Sequence, residues 1–369
     1  MWFFYAFAFL PLLIGAGIWF KSREVTWWEW LIGAASGFVM AVIFHLIAAA
    51  GMTGDIETWS GKVVKATHHP RWVERYTTTE TYTTGSGKNK QTHTRLVTKY
   101  RTHPEHWTCA ANYGSSSDGW RISRTKFDEI ARIFGKGSHV VTTERPWKSG
   151  FSSGDRNIYV AYNKIGTVIP VTMWKRWENR VKAAPSVFSY VKVPEGTAVW
   201  EYPENKNRFA SDRLLGFAKS DIPLIAWDMM CTRLGPAKKV NVIMVGLDGT
   251  SGLGHYQEAA WIGGKKNDLV LCYGPGWSYV FGWTEQEIVK RNLETIMLEH
   301  MDGRKMKANV IPLIEEEIKK NYVIKDWSKF DYISIEPPLW SYIVFIIVMV
   351  LVQIGAYIGF HMNESKRSF

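Results

Sequence analysis

Residues 30–51 read WLIGAASGFVMAVIFHLIAAAG, an apolar run long enough to cross the ~30 Å hydrocarbon core of a bilayer as one helix. Two more such runs bracket the chain, Trp2 to Phe20 ahead of it and Leu339 to Phe360 near the C-terminus. Everything from Thr53 to Pro338 is then tethered to a bilayer at both ends, as one large water-facing insert. The first run has no basic residue ahead of it and no small-residue cleavage pattern, and a second long run follows almost at once, so it reads as a span and not as a signal peptide. Gly33, Gly37 and Ala41 recur at four-residue spacing, a small-residue face on which another helix can approach closely. That face serves either packing among the spans or dimerisation. His45 is the only titratable group well inside a span and Gln353 the only polar amide. The pair suggests a hydrogen bond between helices rather than an ion path, which needs more ionisable groups. Trp27, Trp28, Trp30, Trp340 and Tyr342 sit at span boundaries, where aromatic rings suit the headgroup layer.

Orientation follows from the short basic connections, since long loops cross a membrane largely regardless of charge. Lys21 and Arg23 lie between the first two spans, and Lys366 and Arg367 lie in the tail. Three crossings put both pieces on one side. The expected topology is N-terminus out, first link in, insert out and tail in, with a bacterial host inner membrane as the location. The formal charge of +11 falls mostly in the insert, which favours a membrane surface or an acidic partner. Nucleic acid is not expected on an extracytoplasmic face.

Composition divides the chain into residues 1–52 (two spans), 53–189 (a β-rich module), 190–332 (an α/β module) and 333–369 (the third span and basic tail). From Glu57 to about Ser189 the sequence is rich in Thr, Tyr, Trp, Val and Gly, which reads as strands and turns. Tyr76 to Tyr82 and Gln91 to Arg101 flank Gly85-Ser86-Gly87-Lys88-Asn89, predicting a long hairpin that is polar on both faces and projects from the body. If opposite residues sum to about 175 across that turn, His69 lies near His106. His103-x-x-His106-x-x-Cys109 with His69 would then offer the nitrogen and sulfur ligands that zinc prefers. The competing reading is a basic hairpin whose histidines hold no metal. Nine Lys/Arg against three acidic residues between Trp59 and Ala110 make the hairpin a candidate for contact with acidic lipid headgroups or a partner.

The second module alternates helical and apolar-strand patterns, which implies a layered α/β sandwich. Arg208 to Arg233 has helical spacing interrupted by Pro223, Val240 to Leu247 and Leu269 to Tyr273 read as buried strands, and Thr284 to Leu298 and Met306 to Tyr322 read as helices. Thr284 with Glu287 three residues on predicts a capping box. Trp261, the turn Gly263-Gly264-Lys265-Lys266-Asn267-Asp268 and the strand after it resemble the TPM domain of membrane-tethered extracytoplasmic proteins, over roughly Val191 to Ile324. The whole chain also resembles membrane-anchored proteins of tailed phages and their bacterial hosts, a likeness that brings no activity with it. The TPM resemblance implies an auxiliary or assembly role, with phosphatase activity or calcium binding proposed for some members. On these residues, Asp248 and Asp268 close strands expected to be neighbours, so the two carboxylates are candidates to hold Ca²⁺ in one crevice. Asp-Gly and Asn-Asp are equally ordinary turn formers. Gly249 to Gly254 lacks the lysine of a nucleotide-binding loop.

No nucleophile motif stands out, and Cys231 and Cys272 lie in apolar stretches where cysteine acts as a small hydrophobe. The expected function is membrane-anchored interaction or assembly beside a membrane-protein partner. A metal-dependent, phosphatase-like hydrolase carried by the TPM-like part is the alternative.

Overall fold

The computed structural model describes residues 2–11, 13, 14, 16, 17, 26–112, 119–135, 137–140, 156–160, 168–204, 207–209, 212–307 and 309–367. Lys21 and Arg23, on which the expected topology partly rests, lie outside them.

Among the described residues two helices are long and apolar enough to cross a membrane: α2 (Trp27–Thr53), and the Leu339–Ala356 part of α8 (Leu339–Arg367). Of the first apolar run, α1 (Trp2–Phe7) is a short helix, so three crossings are not established. Helix α2 starts where the Thr26 hydroxyl accepts from the Glu29 amide while the Glu29 carboxylate accepts from the Thr26 amide. Its small-residue face is consumed inside the chain. Gly33, Gly37 and Ala41 are all buried, a side chain at Gly37 would collide with Pro11, and Phe4 packs on Phe44 and Phe345. The Gln353 side-chain amide serves the same seam, its Nε2 donating to the Gly33 carbonyl and the Ser36 hydroxyl. The expected His45–Gln353 bond is therefore absent: α2 and α8 run antiparallel, which places Gln353 against the far end of α2, while the His45 ring stands 5.5 Å from Tyr5.

Helix α2 passes without a loop into β1 (Gly54–His69). This strand organises the first sheet. Its first half pairs with β8 (Pro170–Glu178), and its second half with β4 (His106–Ala111) on one edge and β7 (Arg156–Val160) on the other. The edges carry β5 (Trp120–Ile122) and β6 (Ser138–Val140). Helix α3 (Arg124–Phe134) buries Phe127, Ile130 and Phe134 against Val63, Ala66 and Cys109. From this sheet β2 (Trp72–Thr84) and β3 (Gln91–His103) project as a two-stranded ribbon, paired from Trp72↔His103 to Thr84↔Gln91.

The second sheet has the order β12-β11-β10-β9, formed by β9 (Leu214–Leu215), β10 (Asn241–Gly246), β11 (Asp268–Gly274) and β12 (Trp277–Gly282). Strand β10 runs parallel to β9 and β11, and β12 antiparallel to β11. Helices α4 (Leu224–Lys238), α6 (Ile288–His300) and α7 (Val310–Asn321) cover one face, and α5 (Gly252–Ala260) with Trp261 the other. Strand Asn241–Gly246 is buried throughout and apolar beyond Asn241, as burial on both faces requires. Pro223 does not kink a helix but begins one, as the residue before α4. The capping box expected at Thr284 does not form, because its hydroxyl donates to the Val323 carbonyl in a tertiary bridge and the helix begins later, at Ile288. The sheets meet where Gly235 of α4 lies directly on the Ser60 backbone of β1.

Candidate functional site

The site is built where β1 leaves α2. Strand alternation puts Asp55, Glu57 and Trp59 on one face, opposite Trp177, Lys175 and Met173 of β8. Facing them is the turn after α5, in which Ile262, Gly263 and Gly264 hold φ of 52°, 74° and 81°. A β-branched residue rarely adopts such a backbone. At Gly263 a side chain would collide with the Tyr190 ring. The turn delivers Lys265 Nζ to 3.9 Å from Asp55 Oδ1 and Lys266 Nζ to 3.8 Å from Glu57 Oε2.

Beneath the turn lies a buried polar network. Asp268 Oδ1 accepts from Asn241 Nδ2 at 2.8 Å, and its Oδ2 accepts from the Tyr202 hydroxyl at 2.9 Å and the Lys265 amide at 2.8 Å. Burial pushes the Asp268 carboxyl above its ordinary pKa, against the pull of those donors. Asn241 Oδ1 in turn accepts from Arg213 Nε at 2.8 Å, and Arg213 Nη2 donates to Thr172 Oγ1 at 3.2 Å. Asn267 Nδ2 bridges the Thr58 and Lys239 carbonyls at 2.6 and 3.0 Å. Donors and acceptors from both sheets are thus tied together, as a buried polar group requires.

Above the turn opens a cleft of about 800 Å³. Lys175, Lys239, Lys266 and Lys325 line it together with Trp59, Trp174, Trp327 and the acidic Glu57 and Asp326. Lys239 occupies the left-handed region at φ 55° as the cap of α4, its amide donating to the Gly235 carbonyl. Burial raises the Glu57 pKa, opposed by the charges of Lys266, Lys175 and Lys239. Trp327 closes one wall, with its ring 4.6 Å from Trp177 and its Nε1 donating to the Lys266 carbonyl. With Phe330 it packs on Trp283 and not outward, leaving Tyr332 as the exposed aromatic of that segment. Ammonium groups beside indole walls attract an anion.

The residues nominated from sequence fall elsewhere. Asp248 and Asp268 do not share a crevice. Strands β10 and β11 are parallel and Asn241 pairs with Asp268, so Asp268 opens its strand while Asp248 follows the far end of the neighbouring one. Asp248 is exposed and paired with Arg304. Around the ribbon root His69 does pair with His106, and their rings stack 4.3 Å apart. Cys109 is an odd number of residues from His106 and so points to the opposite face, into the core with Phe127 and Ile130. Burial pushes its thiol up to about 12. His103 lies at the last pair of the ribbon, opposite Trp72. Among the described residues no group of three or more His, Cys, Asp or Glu is arranged to hold a metal ion.

Sequence reading missed Lys175, Lys239 and Glu57. The signal was the alternation Asp55-x-Glu57-x-Trp59 against Met173-x-Lys175-x-Trp177, visible only once the two strands are paired. No protein-family model, curated protein or solved structure matches the chain. The TPM resemblance therefore rests on the Trp261 to Asp268 run alone.

Proposed function

We propose that the chain is a membrane-anchored interaction or assembly protein, phage-related, holding its insert outside the bacterial inner membrane and presenting the β2–β3 ribbon to a membrane-protein partner. The observation that carries this reading is the ribbon. Its two strands pair along their full length, yet Val73, Tyr82, Leu96 and Tyr100 are exposed and neither outer edge is paired with another described strand. An isolated two-stranded ribbon is marginally stable in water, and open edges are templates for another chain. A partner seated on the ribbon would supply the missing surface. The antiparallel α2 and α8 support the anchoring, since the end of one and the start of the other enter the insert at the same end.

The test is site-specific photo-crosslinking in intact membranes from Leu96 and Tyr100, with the exposed Leu298 on α6 as control. A discrete product from both ribbon positions and none from Leu298 is expected. Equal crosslinking from all three would defeat the reading. The outward orientation is tested by Ser86→Cys and Ser368→Cys with a membrane-impermeant thiol reagent in intact cells, which should label the first only.

A further inference from the structure

We propose that the lysine-lined cleft binds the phosphate of an anionic phospholipid headgroup from the leaflet that α2 enters. The inference rests on α2 and α8 crossing a bilayer, and on no property of the ribbon.

Position comes first. Thr53 ends α2, and Glu57 follows in the same unbroken backbone, about 13 Å further at ~3.3 Å per residue. The headgroup layer adds about 5–7 Å to each side of the hydrocarbon core, so an extended lysine at this height reaches it. Charge comes second. Four ammonium groups meet two carboxylates, and the Asp326 carboxylate is occupied by the amide and hydroxyl of Ser328. Among the described residues Lys266 alone of the four has a carboxylate within 4 Å, at Glu57. Lys175, Lys239 and Lys325 are left to answer an incoming anion.

Backbone and walls supply two independent observations. Lys239 holds the left-handed backbone that glycine more often supplies at a helix end, and its side chain lines the cleft wall. Residues 174 and 175 of β8 line the cleft, while Arg176, Trp177 and Glu178, the next along the strand, line a groove of about 430 Å³ against Leu46, Ala49, Ala50 and Thr53 of α2. Phosphate chemistry above and an apolar furrow on a membrane helix below are the two halves of a phospholipid. A zwitterionic headgroup would carry its own ammonium group into the lysines, which disfavours it.

The full chain in neutral detergent is titrated with short-chain phosphatidylglycerol, phosphatidylcholine and inorganic phosphate, and read by native mass spectrometry and tryptophan fluorescence. One saturable phosphatidylglycerol per chain is expected. Lys175→Gln with Lys239→Asn should weaken it about tenfold or more, and asparagine tolerates the left-handed backbone, so the fold persists. Glu57→Gln should tighten it. Lys305→Gln with Lys307→Gln, the same charge change at the opposite end of the second sheet, should leave it within about twofold. Equal binding of phosphatidylcholine, equal weakening by the control pair, or displacement by inorganic phosphate at matched concentration would overturn the lipid site. Carbonate extraction of membranes is read separately. Release of the chain would overturn the membrane reading, and retention without phosphatidylglycerol binding would overturn the site alone.

Discussion

His69 and His106 stack ring on ring, 4.3 Å apart and within 5° of parallel, at the pair of β1 and β4 from which the ribbon departs. His69 Nε2 also bonds the Thr108 hydroxyl at 3.1 Å. This clasp fixes the ribbon root. His69→Ala should cost about 1–2 kcal/mol locally, seen as faster amide exchange across residues 72–103 with the second sheet unchanged. Unaltered exchange in the ribbon would show that the clasp bears no load.

Glu57 gives a pH dependence with a defined sign. Burial raises its folded pKa, although Lys266, Lys175 and Lys239 pull the other way. Between the unfolded value of about 4.3 and the raised folded value, the native state binds more protons than the unfolded one. Stability attributable to Glu57 therefore falls as pH rises through that window. Glu57→Gln should remove this falling component from denaturation curves taken at successive pH values, and an unchanged slope would refute it.

Glu315 behaves in the opposite sense. Arg233 grips both its carboxylate oxygens and Lys319 adds a third contact, so these bonds, Arg233 first, hold its pKa below the ordinary value. Its contribution is present above the unfolded pKa and is lost as pH falls through the lowered one. Glu315→Gln should cost about 1 kcal/mol at neutral pH, because Arg233 is half exposed. The deficit should shrink in acid, as the wild-type carboxylate is neutralised too.

Gly235 tests how the two sheets are joined. In an exposed helix Gly→Ala gains about 1 kcal/mol, but here the added methyl overlaps the Ser60 carbonyl of β1. Gly235→Ala should therefore lower the denaturation midpoint by the equivalent of about 1–3 kcal/mol. A rise instead would mean that α4 can lift off β1 at little cost.

What the sequence disclosed were the features set by local order. The long apolar runs have the length and composition of α2 and α8. The ribbon register sums to 175 throughout because a single turn sets every pair above it, from Thr84↔Gln91 to Trp72↔His103. What it hid needed distant partners. Asp248 and Asp268 were separated by the direction of two strands that are neighbours regardless of direction. Thr284 was taken from its helix by Val323, and the cleft waited on the pairing of Glu57 with Lys175, more than a hundred positions apart. Cys109 is the instructive case, since motif spacing suggested a ligand where strand parity turns the thiol inward.

The continuity of α2 with β1 would let the chain transmit a mechanical load. From Gly54 to His69 runs about 50 Å of strand, and the ribbon adds about 40 Å more. A pull on the ribbon tip passes the Pro70-Arg71 junction and would then be conveyed along β1 to Gly54 with no loop between. The β1–β8 ladder, from Gly54↔Glu178 to Lys62↔Pro170, then takes the force in shear, with its hydrogen bonds loaded together and not one at a time. Tension on the ribbon would reach α2 as a tilt, with the lysine-lined cleft at the fulcrum.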